Sequence, residues 1–219
     1  MKEYQQSKLN RVKRGQNRAT YDVEKINTIL DAGFLCYVGY IYNGKPITIP
    51  MAYARKDNKI YIHGSTANRM LLAILESGET SITVMHLDGL VLARSGFHHS
   101  VNYRSVTLFG GLKKVEKDTE KTEVLEWIVN QMVPNQWNSL RPMNQKELDR
   151  TLVVEFTIET ASAKVRDVGV ADEPEDYNED VWAGIVPIKQ VAEYPIADEG
   201  KPQEMDIPNH ILDYYEANK

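Results

Sequence analysis

The chain has 219 residues, 42% hydrophobic and 26% charged, a globular composition that excludes a disordered or fibrous protein. A chain this long buries roughly 70–75% of its unfolded surface, so neither zinc nor disulfides are needed to hold one core. The formal net charge of −5 is unevenly placed: residues 1–20 carry six basic side chains against Glu3, while residues 171–219 carry thirteen acidic ones against Lys189, Lys201 and Lys219.

The basic arm lacks the interleaved aromatic residues on which bases stack, so no nucleic-acid partner is expected; the arm reads as solvated or packed on the acidic C-terminal region. Cys36 is the sole cysteine and lies in the apolar run FLCYVGYIY, where a thiol behaves as a small hydrophobe and no intramolecular disulfide can form. The longest apolar stretch falls far short of the roughly 20 residues of a membrane helix, and MKEYQQSKLNRVKRGQNR has no apolar signal segment. A cytoplasmic protein without a membrane partner is expected.

In chain order, Asp22 caps a helix whose apolar face is Val23, Ile26, Ile29 and Leu30, and Gly33 ends it. FLCYVGYIY, the Asn43-Gly44 hairpin signal, KPITIPMAYA and, after a turn at 56–58, KIYIH predict a three-stranded meander over 34–63. HGST then stops the strand, and Met70, Leu71, Ile74 and Leu75 share a helical face closed by Gly78. TSITVMH, an Asp88-Gly89 turn, LVLARS and NYRSVTLFGGLKKV predict three further antiparallel strands. Residues 118–133 read as a helix capped by Asp118, and Asn144 with Glu147 resembles a capping box before the strand RTLVVEFTIET. SAKVRDV and WAGIVPI add one strand each, and the acidic VADEPEDYNED between them is a mobile loop by composition. The pattern is mainly β with peripheral helices, a closed or nearly closed β-barrel, and it lacks the βα alternation of a Rossmann fold.

GYIYNGK matches the start of a P-loop, but Pro46 stands where Ser or Thr reaches Mg²⁺ and a strand follows, so it is a hairpin. His63, His86, His98 and His99 show no zinc spacing, and adjacent strand residues point to opposite faces, so no metal site is expected. No G-x-S-x-G elbow accompanies Ser95 or Ser100. The segment His63-Gly-Ser-Thr-Ala-Asn-Arg69 is richer. Gly64 permits close approach, Ser65 and Thr66 offer hydroxyls, the helix start presents unpaired N–H groups, and Arg69 can add a planar charged fork. That is either a phosphate cradle or a capped surface helix. A second cluster of polar and aromatic side chains runs from Arg94-Ser95 to Tyr103-Arg104-Ser105, a surface suited to a flat polar ring with a phosphate tail.

IPMAYARKDNKIYIHGSTANRM, DGLVLARSGFHHSVNYRSVTLFGGLKKVE, SAKVR and WAGIVPI together resemble the pyridoxamine 5′-phosphate oxidase-related, nitroimidazole-resistance-like flavoproteins, in order over residues 11–187. The resemblance implies an FMN-binding split β-barrel and a homodimer with FMN at the subunit interface. One such domain is expected over 1–219, with the basic arm (1–20), the acidic loop (171–180) and a C-terminal extension (188–219). Carried over residue by residue, Ile49, Pro50, Met51, Ala52 and Tyr53 would meet the isoalloxazine edge, followed by Ile62 and His63. Asn68 and Arg69 would hold the phosphate, joined by Ser65 of the cradle read above, Arg104 and Ser105 would lie under the flavin, and Trp182 would reach it from the partner subunit. Lys164 and Arg166 would be additional anchors, and Arg69, Arg104 or Arg94 would meet the phosphate charge.

TIPMAY lacks the basic residues that the oxidases carry at both ends of this strand, and their arginine-rich C-terminal signature is absent, so pyridoxamine phosphate is not the expected substrate. The resemblance implies an FMN oxidoreductase reducing a small, nitroaromatic-like acceptor, with His63 as the catalytic candidate. The alternative is a non-enzymatic module that stores or senses FMN or a ring such as haem.

Overall fold

The computed structural model describes residues 2–198, 200 and 206–219. A two-residue strand, β1 (Ala19–Thr20), precedes α1 (Val23–Asp31), whose start is fixed by the Asp22 carboxylate accepting the Lys25 N–H at 2.8 Å. Gly33 follows the helix but does not take the left-handed conformation expected of a helix stop. A Cβ there would stand 2.8 Å from the His86 ring, so close packing is what requires the glycine.

The meander forms as expected: β2 (Leu35–Tyr42), β3 (Lys45–Lys56) and β4 (Lys59–Ser65). Asn43 and Gly44 both have positive φ, the geometry that matches a two-residue hairpin to strand twist. Next, α2 (Arg69–Ser77) ends at Gly78 with φ +68. The Asp88-Gly89 pair makes no turn. One strand, β5 (Ser81–Leu92), runs through it with a register shift between Leu87 and Gly89. Asp88 is the extra residue of this bulge, and at Gly89 a Cβ would stand 3.2 Å from the Val186 carbonyl of the strand alongside.

After β6 (Ser100–Lys114) comes α3 (Asp118–Met132). Its cap position falls on Lys117, without a side-chain cap, and Asp118 is the first helical residue, engaged by Lys121 and Gln145. Asn144 and Glu147 do form a capping box at α4 (Gln145–Arg150). RTLVVEFTIET and SAKVR are one strand, β7 (Thr151–Arg166), bent at a register shift opposite Phe109 and Gly110. The acidic loop contains a 3-10 turn at Pro174–Asn178, β8 (Gly184–Pro187) adds to β5, and α5 (Asn209–Asn218) follows.

Antiparallel pairing runs β7-β4-β3-β2-β5-β6, and a β6–β7 ladder joins the two ends into a ring. Cys36, Val38, Tyr53, Ile62, Ile82, Val106, Leu108, Val154 and Phe156 fill its interior, with the apolar stripes of α1 and α2 packed against them. Each such side chain contributes roughly 1.5–3 kcal/mol by leaving water. On the outside, α3 sets Val124, Leu125 and Ile128 against Ala54, Tyr61 and Val153.

The basic arm docks on β7, not on the acidic C-terminal region. Asn10 is buried and donates to Thr160 Oγ1 at 2.5 Å and the Ala161 carbonyl at 3.0 Å, and Tyr4 joins the core. Among the described residues no helix is long and apolar enough to cross a membrane.

Candidate functional site

Register places the expected flavin strand at a gap in the ring. Along β3, pairing with β2 extends from Lys45 to Ala52, but pairing with β4 covers only Tyr53 to Lys56. On the side away from β2, residues 45–52 therefore have no partner strand among the described residues, and their backbone groups on that edge are unpaired with another strand there. Side chains alternate about this edge: Ile49, Met51 and Tyr53 turn into the barrel, while Pro50 and Ala52 face outward. Tyr53 is fully buried and its hydroxyl donates to the Leu30 carbonyl, so its side chain serves the core.

The β4 side of the gap carries Ile62, buried in the barrel, and His63, half-buried on the opposite face. The His63 Nδ1 atom is buried with no hydrogen-bond partner among the described residues. Desolvation holds this imidazole below its ordinary pKa, so it is neutral at pH 7. His86, His99 and His210 each have a ring nitrogen engaged, by the Ile29 carbonyl, the Ser95 carbonyl and Gln136 Oε1, and His98 lies 3.7 Å from Glu173. Among the described residues no three His, Cys, Asp or Glu side chains are grouped to hold an ion.

At the corner after β4, Asn68 is the helix cap: its Oδ1 accepts the Leu71 N–H at 3.1 Å, which leaves only its Nδ2 to donate to a ligand. Ser65 Oγ accepts the Ala67 N–H at 3.2 Å. Gly64 is tight because Asn68 and Leu71 pack on it, each 3.1 Å from the position of a Cβ. Arg69 is exposed. Its guanidinium lies 4.3 Å over the Tyr42 ring and donates to the Tyr40 hydroxyl at 3.3 Å, and no carboxylate pairs with it among the described residues. Its contacts with the two phenol rings are weak ones for an exposed guanidinium at a helix start.

The remaining expected residues lie elsewhere. Arg104 gives both arms of its fork to Asp88, at 2.9 and 2.7 Å, and faces the opposite side of β6 from its neighbour Ser105. Arg94 is bound to Asp172, whose side chain is wholly buried, and lies over the Tyr177 ring. Both of these cations are already neutralised. Ser105 pairs with Lys164 across β6–β7, Tyr103 with Arg166, and Trp182 is 67% exposed beside Gly184. Ser65 pairs with Thr151 at the start of β7 and Ser105 with Lys164, thirteen residues or roughly 40 Å of strand further on. Within one chain, Ser65, Asn68 and Arg69 are thus not brought together with Ser105, Lys164 and Arg166.

Tyr40, Tyr42, Asp88 and Asp172 escape the sequence reading because each meets its arginine through tertiary pairing. An exposed apolar face also escapes it. Leu35 and Tyr37 on β2, with Met85 and Leu87 on the paired β5, point outward, and Met85 is 50% exposed.

The ring of strands with its gap along β3 is a split β-barrel. The family model described as pyridoxamine 5′-phosphate oxidase matches residues 22–165, and the chain belongs to that family. The flavocytochrome Anf3 from Azotobacter vinelandii is 38% identical, with a TM-score of 0.89 over 95% of this chain and 97% of that one. The FAD and haem binding protein from Mycobacterium smegmatis is 29% identical, with a TM-score of 0.85 over 90% and 97%. A protein from Bacteroides thetaiotaomicron described as a 5-nitroimidazole antibiotic resistance protein shares the fold at 19% identity, with a TM-score of 0.58 over 67% and 86%. No curated protein matches the chain.

Proposed function

We propose that this chain is a single-domain flavoprotein oxidoreductase that acts as a homodimer, with the riboflavin 5′-phosphate unit of FMN or FAD held at the subunit interface. The observation that carries this reading is the end-to-end similarity to the flavocytochrome Anf3, at 38% identity. The unpaired β3 edge and the carboxylate-free Arg69 are the features a flavin ring and its phosphate require. Dimerisation accounts for the separation of the two residue groups along β7, since a two-fold partner can supply the second group to the first. The outward apolar face of β2 and β5 is the surface such a partner would cover. The buried Cys36 thiol suits the reducing cytoplasm.

Bound flavin supplies hydride or electron transfer to a small acceptor. This chain's residues do the rest. Arg69 and the Asn68 Nδ2 bind phosphate, the backbone of residues 49–52 orients the ring, and neutral His63 orients the acceptor more readily than it donates a proton.

Haem is a second ligand that the Anf3 and M. smegmatis proteins favour, since one is a flavocytochrome and the other binds FAD and haem. A neutral imidazole with an unengaged buried nitrogen is the state a haem ligand needs, and His63 meets that description. Aerobic and anaerobic turnover with NADH or NADPH and a panel of quinone, nitroaromatic and oxygen acceptors tests the enzymatic reading. Sustained acceptor-dependent turnover is expected. Flavin that binds yet turns over with no acceptor would transfer the protein to the storage and sensing class.

A further inference from the structure

The charge of the basic arm is held in a fixed place. Asn10 locks the turn that presents it: its Oδ1 accepts the Ser7 N–H at 2.7 Å, the Arg11 N–H donates to the Ser7 carbonyl at 3.1 Å, and its Nδ2 anchors the turn on Thr160 and Ala161 of β7. The turn forms a cleft of about 530 Å³ lined by Gln6, Ser7, Lys8, Arg11 and Lys13. Glu3, the arm's one acid, lines an adjoining cleft with Arg11. Among the described residues no ion pair includes Lys8, Arg11, Lys13 or Arg14. Fixed like charges repel one another, a cost that an approaching anion relieves.

The acidic loop is the complementary surface. Over 171–180 it carries Asp172, Glu173, Glu175, Asp176, Glu179 and Asp180 and no basic residue. Its composition reads as mobile, but the fold pins it. The wholly buried Asp172 carboxylate accepts the Arg94 N–H at 3.1 Å and the Arg94 guanidinium at 3.0 Å, Arg94 lies over the Tyr177 ring, and Asp176 closes a capping box with Glu173. Asp172 and Glu173 face Arg94 and His98, while Glu175, Asp176, Glu179 and Asp180 enter no ion pair among the described residues. One chain therefore carries two surfaces of opposite charge, each pinned in place and neither neutralising the other. The arm runs into β1 on β7 and the loop into β8 on β5, so both border the sheet that carries the outward apolar face of β2 and β5.

We propose that the cleft of Lys8, Arg11 and Lys13 in one copy takes the acidic loop of a second copy, through Glu175, Glu179 and Asp180. The contact rests on the homodimer reading for its partner and is independent of flavin. A two-fold axis makes it twice, arm on loop and loop on arm, so both surfaces are neutralised in a closed dimer. Exposed ion pairs are individually weak and screened by salt, so the contact sets the register in which the apolar faces meet and speeds their encounter.

Two full-length variants test it: Lys8→Glu/Arg11→Glu/Lys13→Glu and Glu175→Lys/Glu179→Lys/Asp180→Lys, all six at exposed side chains. By sedimentation at low salt, each variant alone is expected to dimerise roughly tenfold or more weakly than wild type, because like charges meet at both contacts. An equimolar mixture of the two is expected to recover the wild-type affinity, because opposite charges meet again. Wild type supplies a second readout that no substitution can disturb. Carbodiimide coupling of mixed ¹⁴N and ¹⁵N chains is expected to join Lys8 or Lys13 of one isotope to Glu175, Glu179 or Asp180 of the other. A wild-type dimer without such mixed-isotope links, or a mixture that associates no more tightly than either variant alone, overturns the proposal and leaves the homodimer standing. Wild type that sediments as a monomer overturns both.

Discussion

Arg69 distinguishes itself from Arg94 and Arg104 by its partners. The latter two are held by buried or bidentate carboxylates, while Arg69 rests on Tyr40 and Tyr42. Replacing it should therefore cost ligand binding and spare the fold. Arg69→Ala is expected to weaken flavin by about 1.5–3 kcal/mol, roughly 10- to 150-fold by fluorescence titration, with an unchanged urea midpoint. Unchanged affinity removes Arg69 from the site. Its candidacy was legible in the sequence because a helix start after a Gly-Ser-Thr corner has known anion chemistry. The engagement of Arg94 and Arg104 was not, since their carboxylates arrive from a strand bulge and a distant loop.

Cys36 is equally well resolved. Burial inside the barrel pushes its thiol up to about 12, so it remains protonated at any ordinary pH. An acid whose folded pKa is raised contributes stability that is complete below its unfolded value near 9 and is lost as pH rises from there toward 12. Iodoacetamide at pH 8–9, within about half a unit of the free-thiol pKa, should leave the native protein unlabelled and label it in urea. Labelling at equal rates in both states contradicts the buried position.

Elements were predicted best where periodicity and turn chemistry agree, as in the meander with Asn43-Gly44 and in α2 with its Gly78 stop. They were predicted worst where the chain bends without turning. Asp88-Gly89 carries the letters of a hairpin and forms a bulge, because β8 lies against Gly89 and keeps β5 in the sheet. The sequence divides the long β7 into two strands, close to the residue where its ladder is interrupted. The ladder steps there from Gly110–Ile158 to Phe109–Thr160, leaving Glu159 unpaired.

Gly110 makes that bulge feasible. A Cβ at this position would stand 1.8 Å from the Thr157 carbonyl, a backbone atom that cannot withdraw without opening the β6–β7 ladder. Gly110→Ala is expected to destabilise the protein by about 3 kcal/mol in urea unfolding. Gly44→Ala, with open space around its Cβ and only a positive φ to violate, should cost about 1 kcal/mol. Equal losses at the two positions would show that the bulge does not depend on close approach.

Across the whole molecule, one chain keeps the two groups of expected site residues apart. The barrel holds Arg69 and the open β3 edge at one end of β7 and Lys164 with Arg166 at the other, and it presents Leu35, Tyr37, Met85 and Leu87 to the outside. This arrangement could be recognised in the sequence only by resemblance, because outward apolar residues on a strand look the same whether they enter a core or an interface. Met85→Glu places a charge on that face without touching the barrel interior. In light scattering it is expected to convert a dimer of about 50 kDa, twice the 25.0 kDa chain, into monomer and to weaken flavin at least about tenfold. A dimer that survives would move the interface to another surface.

A split barrel of this family is proposed here to hold a flavin. That occupancy is tested most directly by the visible absorption spectrum of the untagged protein as purified, followed by mass identification of whatever small molecules denaturation releases. Flavin bands with released FMN or FAD are expected, with a Soret band where haem has been retained. A colourless protein that also fails to take up added FMN, FAD and haemin would contradict the flavin reading, leaving the family fold without its cofactor.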